Sequence, residues 1–194
     1  MTNELFTFYK NALTNNVCEE GKRKWQSCGN DKDALVAFSL SQFAIPFFAT
    51  YCYKGWGLSK NFILREFAEY INGKKTFNDC DGVTGYTYSL YVGFEGEKTV
   101  SDNVIHLMWC NSPTIEVECH KCPILYVTNR SKVYVCGAGY NCIRIELYDE
   151  SQVVIDDLDK ESEVVVYKHS PKCKVECGKF CFGKVKEIDK ELKL

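Results

Sequence analysis

The sequence predicts an α+β chain: a small helical bundle over residues 1–75, then an all-β domain over residues 76–194 that reads as a β-solenoid, with an antiparallel β-sandwich as the alternative. Three observations carry this. The apolar period changes from 3.6 to 2 near residue 75. Inward-type apolar pairs then recur at Ile115/Val117, Leu125/Val127, Val133/Val135, Ile143/Ile145, Val153/Ile155, Val164/Val166 and Cys173/Val175, with steps of 10, 8, 10, 10, 11 and 9 between their first members. Three of those segments begin with a serine two residues before the pair, at Ser131, Ser151 and Ser162, and no Asn-Gly or Asp-Gly hairpin turn follows Gly85. Near-constant steps and a shared start favour coils over hairpins.

The helical half is read from its caps and stripes. Leu5, Phe8, Tyr9, Ala12 and Leu13 recur on one face of a first helix, with Thr2 or Asn3 offering the cap. A second helix over Glu19 to Ser27 carries Trp25 and is weakened by Gly21. Asn30 or Asp31 caps a third, and Pro46 separates it from a fourth. Ser59 caps a fifth, whose stripe is Ile63, Phe67, Tyr70 and Ile71 and which closes at Asn72 and Gly73. The aromatic run Phe43, Phe47, Phe48, Tyr51, Tyr53 and Trp56 reads as core, because a bundle of this size must bury most of its large side chains.

Beyond it, "YTYSLYVGF" and "NVIHLMWC" read as strands ahead of the repeats. Residues between the inward pairs, among them Glu116, Lys132, Arg144, Glu146, Gln152, Glu163 and Lys174, are polar and predicted to face outward. The last stretch, "FGKVKEIDKELKL", reads as a cap or a short final helix.

The S-x-V-x-V repeats resemble those of single-stranded β-helical proteins, and "KGWGLSKNFILREFAEYINGK" resembles a segment of uncharacterised proteins encoded by gut-bacterial phages and other mobile elements. The second resemblance implies a helical amino-terminal module joined to a repetitive β-rich tail. It brings no assigned activity, and no functional residue is carried over from it.

Composition narrows the function classes. Hydrophobic residues at 45% and charged residues at 26% mark a folded chain with a real core. No signal-type leader and no run of 18 apolar residues occurs, so the expected location is cytoplasmic with no membrane partner, or a virion component released by lysis. Residues 1–75 hold ten Lys and Arg against seven Asp and Glu, and the remainder 14 against 19, so neither half carries the basic stripe of a nucleic-acid binder. The "GKRK" patch reads as a solvated helix face.

Twelve cysteines raise the question of metal. Zinc wants two close ligand pairs; Cys119 and Cys122 form one, and Cys136 and Cys142 would have to supply a second at poorer spacing. Strand parity points the other way. Cys119 continues the register of Ile115 and Val117, and Cys173 and Cys177 that of Val175, which predicts buried thiols, while His120 alternates outward. A redox role for Cys119 and Cys122 lacks the helix amino terminus that would activate a thiol.

Of the histidines, His106 reads as a mid-strand packed residue and His169 as a turn residue. No G-x-S-x-G, H-E-x-x-H, Walker-type or G-x-G-x-x-G pattern occurs, and Asp156, Asp157 and Asp159 read as a solvated acidic turn rather than a calcium loop. The sequence therefore predicts no catalytic residue, no cofactor and no metal site. Its leading functional expectation is a non-catalytic protein with a helical docking module on a rigid β-rich spacer, acting through a protein partner or self-association. A small zinc-supported binding protein is the alternative, and an enzyme signalled by a deep pocket joining His106 or His169 to a cysteine or carboxylate comes third.

Overall fold

In the computed structural model, residues 3–15, 17–39, 44, 58–66, 68, 75–78 and 87–190 are described. The order of elements is helices first and strands after, and the strands form a β-solenoid of about five coils.

Four helices fall among the described residues: α1 (Asn3–Thr14), α2 (Glu19–Cys28), α3 (Lys32–Ser39) and α4 (Lys60–Glu66). Asp31 and Ser59 act as caps: the Ala34 amide donates to Asp31 Oδ1 at 3.1 Å and the Phe62 amide to Ser59 Oγ at 3.1 Å. The α2 amino terminus is held instead by Cys18, whose sulfur accepts from the Gly21 amide. Gly21 does not interrupt α2; it is buried, and a Cβ there would stand 3.1 Å from Val17 Cγ2. The expected helix after Pro46, the aromatic run around it and the stripe residues Phe67, Tyr70 and Ile71 lie outside the described residues.

The strands divide between two sheets. One holds β1 (Lys75–Asn78), β2 (Thr87–Val92), β4 (Val104–Met108), β6 (Ile124–Thr128), β8 (Cys142–Leu147), β10 (Glu163–Lys168) and β12 (Lys184–Asp189), in that order. The other holds β3 (Glu97–Val100), β5 (Asn111–Val117), β7 (Lys132–Gly137), β9 (Gln152–Leu158) and β11 (Lys174–Cys181). Every pairing is parallel except β1 with β2, which is antiparallel and covers the first edge of its sheet. Each coil contributes one strand to each sheet. Stacked partners are therefore two sequence steps apart, as in Ile124 beside Arg144 and Cys142 beside Glu163, and consecutive apolar pairs face each other across the core. The ten-residue step in the sequence is half a coil.

The predicted inward pairs build that core. Ile115, Leu125, Val127, Val133, Val135, Ile145, Val153, Ile155, Val164 and Val166 are all fully buried in one cluster between the sheets. Burying such a side chain contributes about 1.5–3 kcal/mol, which makes this row the main source of stability. Sequence reading missed β3, whose "EKTV" is too polar to show the pattern. Of the two readings of the tail, the short helix is not formed: residues 184–189 are a strand paired in parallel with β10. Asp156 and Asp157 are exposed as expected but belong to β9, at a register shift against β7, rather than to a turn.

The repeated serine occupies two different corners. Ser131 and Ser151 precede the strands of one sheet, in register with buried Cys110 and Cys173. Ser162 precedes a strand of the other sheet, stacked on buried Asn141. At these corners amide groups turn inward and need a polar partner. Ser131 Oγ accepts from the Cys110 amide at 3.0 Å, and Ser162 Oγ accepts from the Asn141 amide at 3.0 Å while donating to the Gly139 carbonyl at 2.6 Å.

The helices pack on the outside of the first coils. Leu5, Phe8, Trp25, Leu35, Leu58, Phe62 and Ile63 form a second core with Leu90 and Val92 of β2 and Met108 of β4. The Glu4 carboxylate ties α1 to the start of α4 by accepting from the Ser59 amide and hydroxyl, both at 3.1 Å. No helix among the described residues is long and apolar enough to cross a membrane.

The corner account makes a paired prediction. Ser162→Ala strands the buried Asn141 amide and is expected to cost about 1–3 kcal/mol in urea unfolding. Ser151→Ala removes a buried hydroxyl that has no hydrogen-bond partner and is expected to be neutral or slightly stabilising.

Candidate functional site

The first candidate lies on the outer face of the seven-stranded sheet, just past the helices. In-register stacking places Leu90, His106, Tyr126, Glu146, Tyr167 and Ile188 in one ladder, one residue per coil. Leu90 is under the helices. His106 is fully buried beside it and stacks on Tyr126 at 4.9 Å with the rings 10° apart. Burial pushes its imidazole down to about 3, and Nε2 is without a hydrogen-bond partner, so this ring is a neutral packing residue as the sequence suggested.

Two coils further on, Glu146 is only 2% exposed, although its position in the alternation faces outward. Its neighbours explain this. The Arg144 guanidinium bonds to Oε1, with Nε at 2.6 Å, and His169 Nε2 lies 2.5 Å from Oε2. Lys190 Nζ stands 3.9 Å from the same carboxylate. Tyr167 holds the cations in turn, with Lys190 Nζ 4.0 Å and Arg144 Cζ 4.9 Å from its ring centre. His169 is fixed from its other side by a stack on Tyr148 at 4.3 Å. The hydrogen bond to the Glu146 carboxylate pushes the Arg144 pKa up.

The structure therefore joins His169 to a carboxylate, a pairing that the sequence did not signal. Glu146 read as one more outward polar residue, and His169 sat in a turn 23 residues away. The missing information was the coil length of 20 to 21 residues, which places Tyr126, Glu146 and Tyr167 in one ladder. Chemically the imidazole has its Nε2 engaged with Glu146 and one ring face covered by Tyr148, so the network holds the outer face together.

A second candidate is the cleft of about 710 Å³ along the corner between the sheets, lined by Trp109, Asn129, Arg130, Asp149, Glu150 and Lys172, with Lys60 of α4 at its side. Trp109, Asn129, Arg130 and Asp149 all adopt left-handed backbone conformations to make the turns. Charges in the cleft answer one another: Lys172 and Arg130 reach Glu150 at 2.8 and 3.6 Å, and the Asn129 amide donates to Asp149 at 3.0 Å. Burial raises the Asp149 carboxyl, and that amide partly offsets it.

The ten described cysteines are free thiols. Cys173 is buried at its corner as expected. Cys119 is not. It is exposed, because β5 ends at Val117 and a turn with His120 in the left-handed region follows, breaking the strand parity. Cys177 keeps the register opposite Ile155 but is exposed, since β11 is the last strand of its sheet among the described residues. The four thiols considered for zinc are placed differently from a knuckle pair. Cys119 packs on Gly139, Cys122 meets Cys142, and Cys136 lies on the outer face of the five-stranded sheet, in register with Glu116 and Asp157. Among the described residues no three His, Cys, Asp or Glu side chains are grouped to hold a metal ion. The "GKRK" lysines are engaged with α2's own acids, Lys22 with Glu19 at 2.5 Å and Lys24 with Glu20 at 3.0 Å.

The third candidate is the far end of the solenoid. Inward positions that are fully buried in the central coils become partly exposed at Val175, Cys181 and Val185. Phe180 and Phe182 beside them are 59% and 65% exposed, the two highest values among the large exposed apolar side chains described. Comparisons with protein-family models, curated proteins and solved structures found no match to this chain.

His106 makes the stability of this face depend on pH. Its folded-state pKa of about 3 lies below the ordinary histidine value of 6.5, so its contribution is present above about pH 6.5 and is lost as pH falls toward 3. His106→Phe keeps the stack on Tyr126 and removes the titration. The difference in unfolding free energy between wild type and variant should change by on the order of 1 kcal/mol per pH unit across pH 6 to 4, to the wild type's disadvantage. Parallel curves over that range would contradict the buried neutral assignment.

Proposed function

We propose that this chain is a non-catalytic interaction protein: a helical docking module on a rigid β-solenoid whose far end is covered by a second copy. The observation that carries the reading is the last coil among the described residues, where Val175, Cys181 and Val185 are less buried than their counterparts and Phe180 and Phe182 stand out beside them. Edge strands β11 and β12 present backbone groups that can pair with another chain.

A two-fold axis perpendicular to both sheets would pair β12 with β12 and β11 with β11 at once, in antiparallel fashion, and continue the core from one copy into the next. Such an isologous contact closes on itself. The charges on β12, at Lys184, Lys186, Glu187 and Asp189, are exposed and disfavour indiscriminate edge pairing. The reading also draws support from the Glu146 network, whose carboxylate and imidazole are committed to contacts within the chain.

Sedimentation velocity over a range of protein concentrations tests it. A reversible dimer is expected, and the double variant Phe180→Ser, Phe182→Ser should raise its dissociation constant by about tenfold or more, equivalent to about 1.4 kcal/mol. A wild-type chain that stays monomeric at every concentration, or a dimer indifferent to both substitutions, would contradict the proposal.

A further inference from the structure

Cys122 and Cys142 occupy the same corner of adjacent coils. The register that sets Ile124 beside Arg144 continues backward: the Arg144 amide donates to the Pro123 carbonyl at 3.0 Å and the Cys142 amide to the Lys121 carbonyl at 3.4 Å. Cys142 therefore stacks on Cys122. Residues so related in parallel strands lie roughly 4.8 Å apart, inside the roughly 4.4–6.8 Å separation of α-carbons that a disulfide spans. Both side chains are exposed, and the Cys122 thiol is close enough that, after burial, it is the next cause pushing the Cys142 thiol pKa up.

The geometry points to Cys122 and Cys142 as a redox-modification site, oxidised to an inter-coil disulfide by a low-molecular-weight disulfide of the glutathione type. One cysteine, as thiolate, attacks a sulfur of the oxidant; the oxidant's S–S bond breaks, a mixed disulfide forms and one small thiol leaves. The second cysteine attacks the protein sulfur of that mixed disulfide, forming the Cys122–Cys142 bond and releasing the second small thiol. The two protons end on the released thiols, the protein gives up two electrons, and the oxidant is reduced.

Other thiols are placed less well for such a link. Cys177 and Cys181 are in contact but belong to one strand, four residues apart across a register shift, so a bond between them would close only a short loop. A Cys122–Cys142 bond closes a whole coil in the middle of the solenoid, where it restrains the unfolded chain more. It leaves the stacking as it is.

Incubating the purified full-length protein with oxidised glutathione tests this directly. Digestion and fragmentation mass spectrometry should find Cys122 joined to Cys142, and the melting temperature should rise by roughly 5–10 °C, reversibly on reduction. Cys142→Ser, an exposed substitution, should fold as wild type by circular dichroism and show no such rise. Recovery of Cys122 and Cys142 as separately alkylated thiols after full incubation, or linkage of either to a different cysteine, would overturn the assignment.

Discussion

Parallel, in-register stacking of coils is the constraint on which the rest of this structure depends. Each backbone group in an inner strand bonds to the coil before and the coil after, so a residue is forced to sit on the residue one coil away, 16 or 17 positions along in the first coils and 20 to 23 in the later ones. Like then stacks on like. Valines and isoleucines make a dry interior, small polar residues collect at the corners to receive inward amides, and the outer face becomes a set of ladders in which one side chain per coil meets its equivalents.

That constraint explains both the buried carboxylate and the clustered thiols. Glu146 has a tyrosine one coil away on each side, and its own strand supplies Arg144, so its desolvation is offset by hydrogen bonding with Arg144 and with His169 from the next coil, and by the Lys190 ammonium nearby. Cys122 and Cys142 meet for the same reason. The helical module fits the pattern as well: it covers the part of the outer face where the ladder residues are Leu90, Val92 and Met108, and it stops where the ladders turn to tyrosine, glutamate and histidine.

The sequence carried the alternation very well and the stacking less so. All seven apolar pairs are where parity puts them because burial on one face repeats every second residue, and Ser59 and Asp31 cap their helices because their hydroxyl and carboxylate answer free amides. Parity fails wherever a strand ends early, which is why Cys119 lies in an exposed turn, and it says nothing about exposure at a last coil, where Cys177 has a neighbour on one side only. The meeting of Glu146 and His169 depends on coil length. A ten-residue step is compatible with several pairings, and only the fold shows that it is half of one turn.

The central claim is that strands two steps apart stack in parallel, and nuclear Overhauser contacts in an isotope-labelled sample measure it most directly. The account predicts backbone contacts between Val135 and Ile155 and between Ile145 and Val166, one coil apart. Close α-proton pairs between consecutive strands from β3 onward, in the manner of antiparallel hairpins, would contradict it.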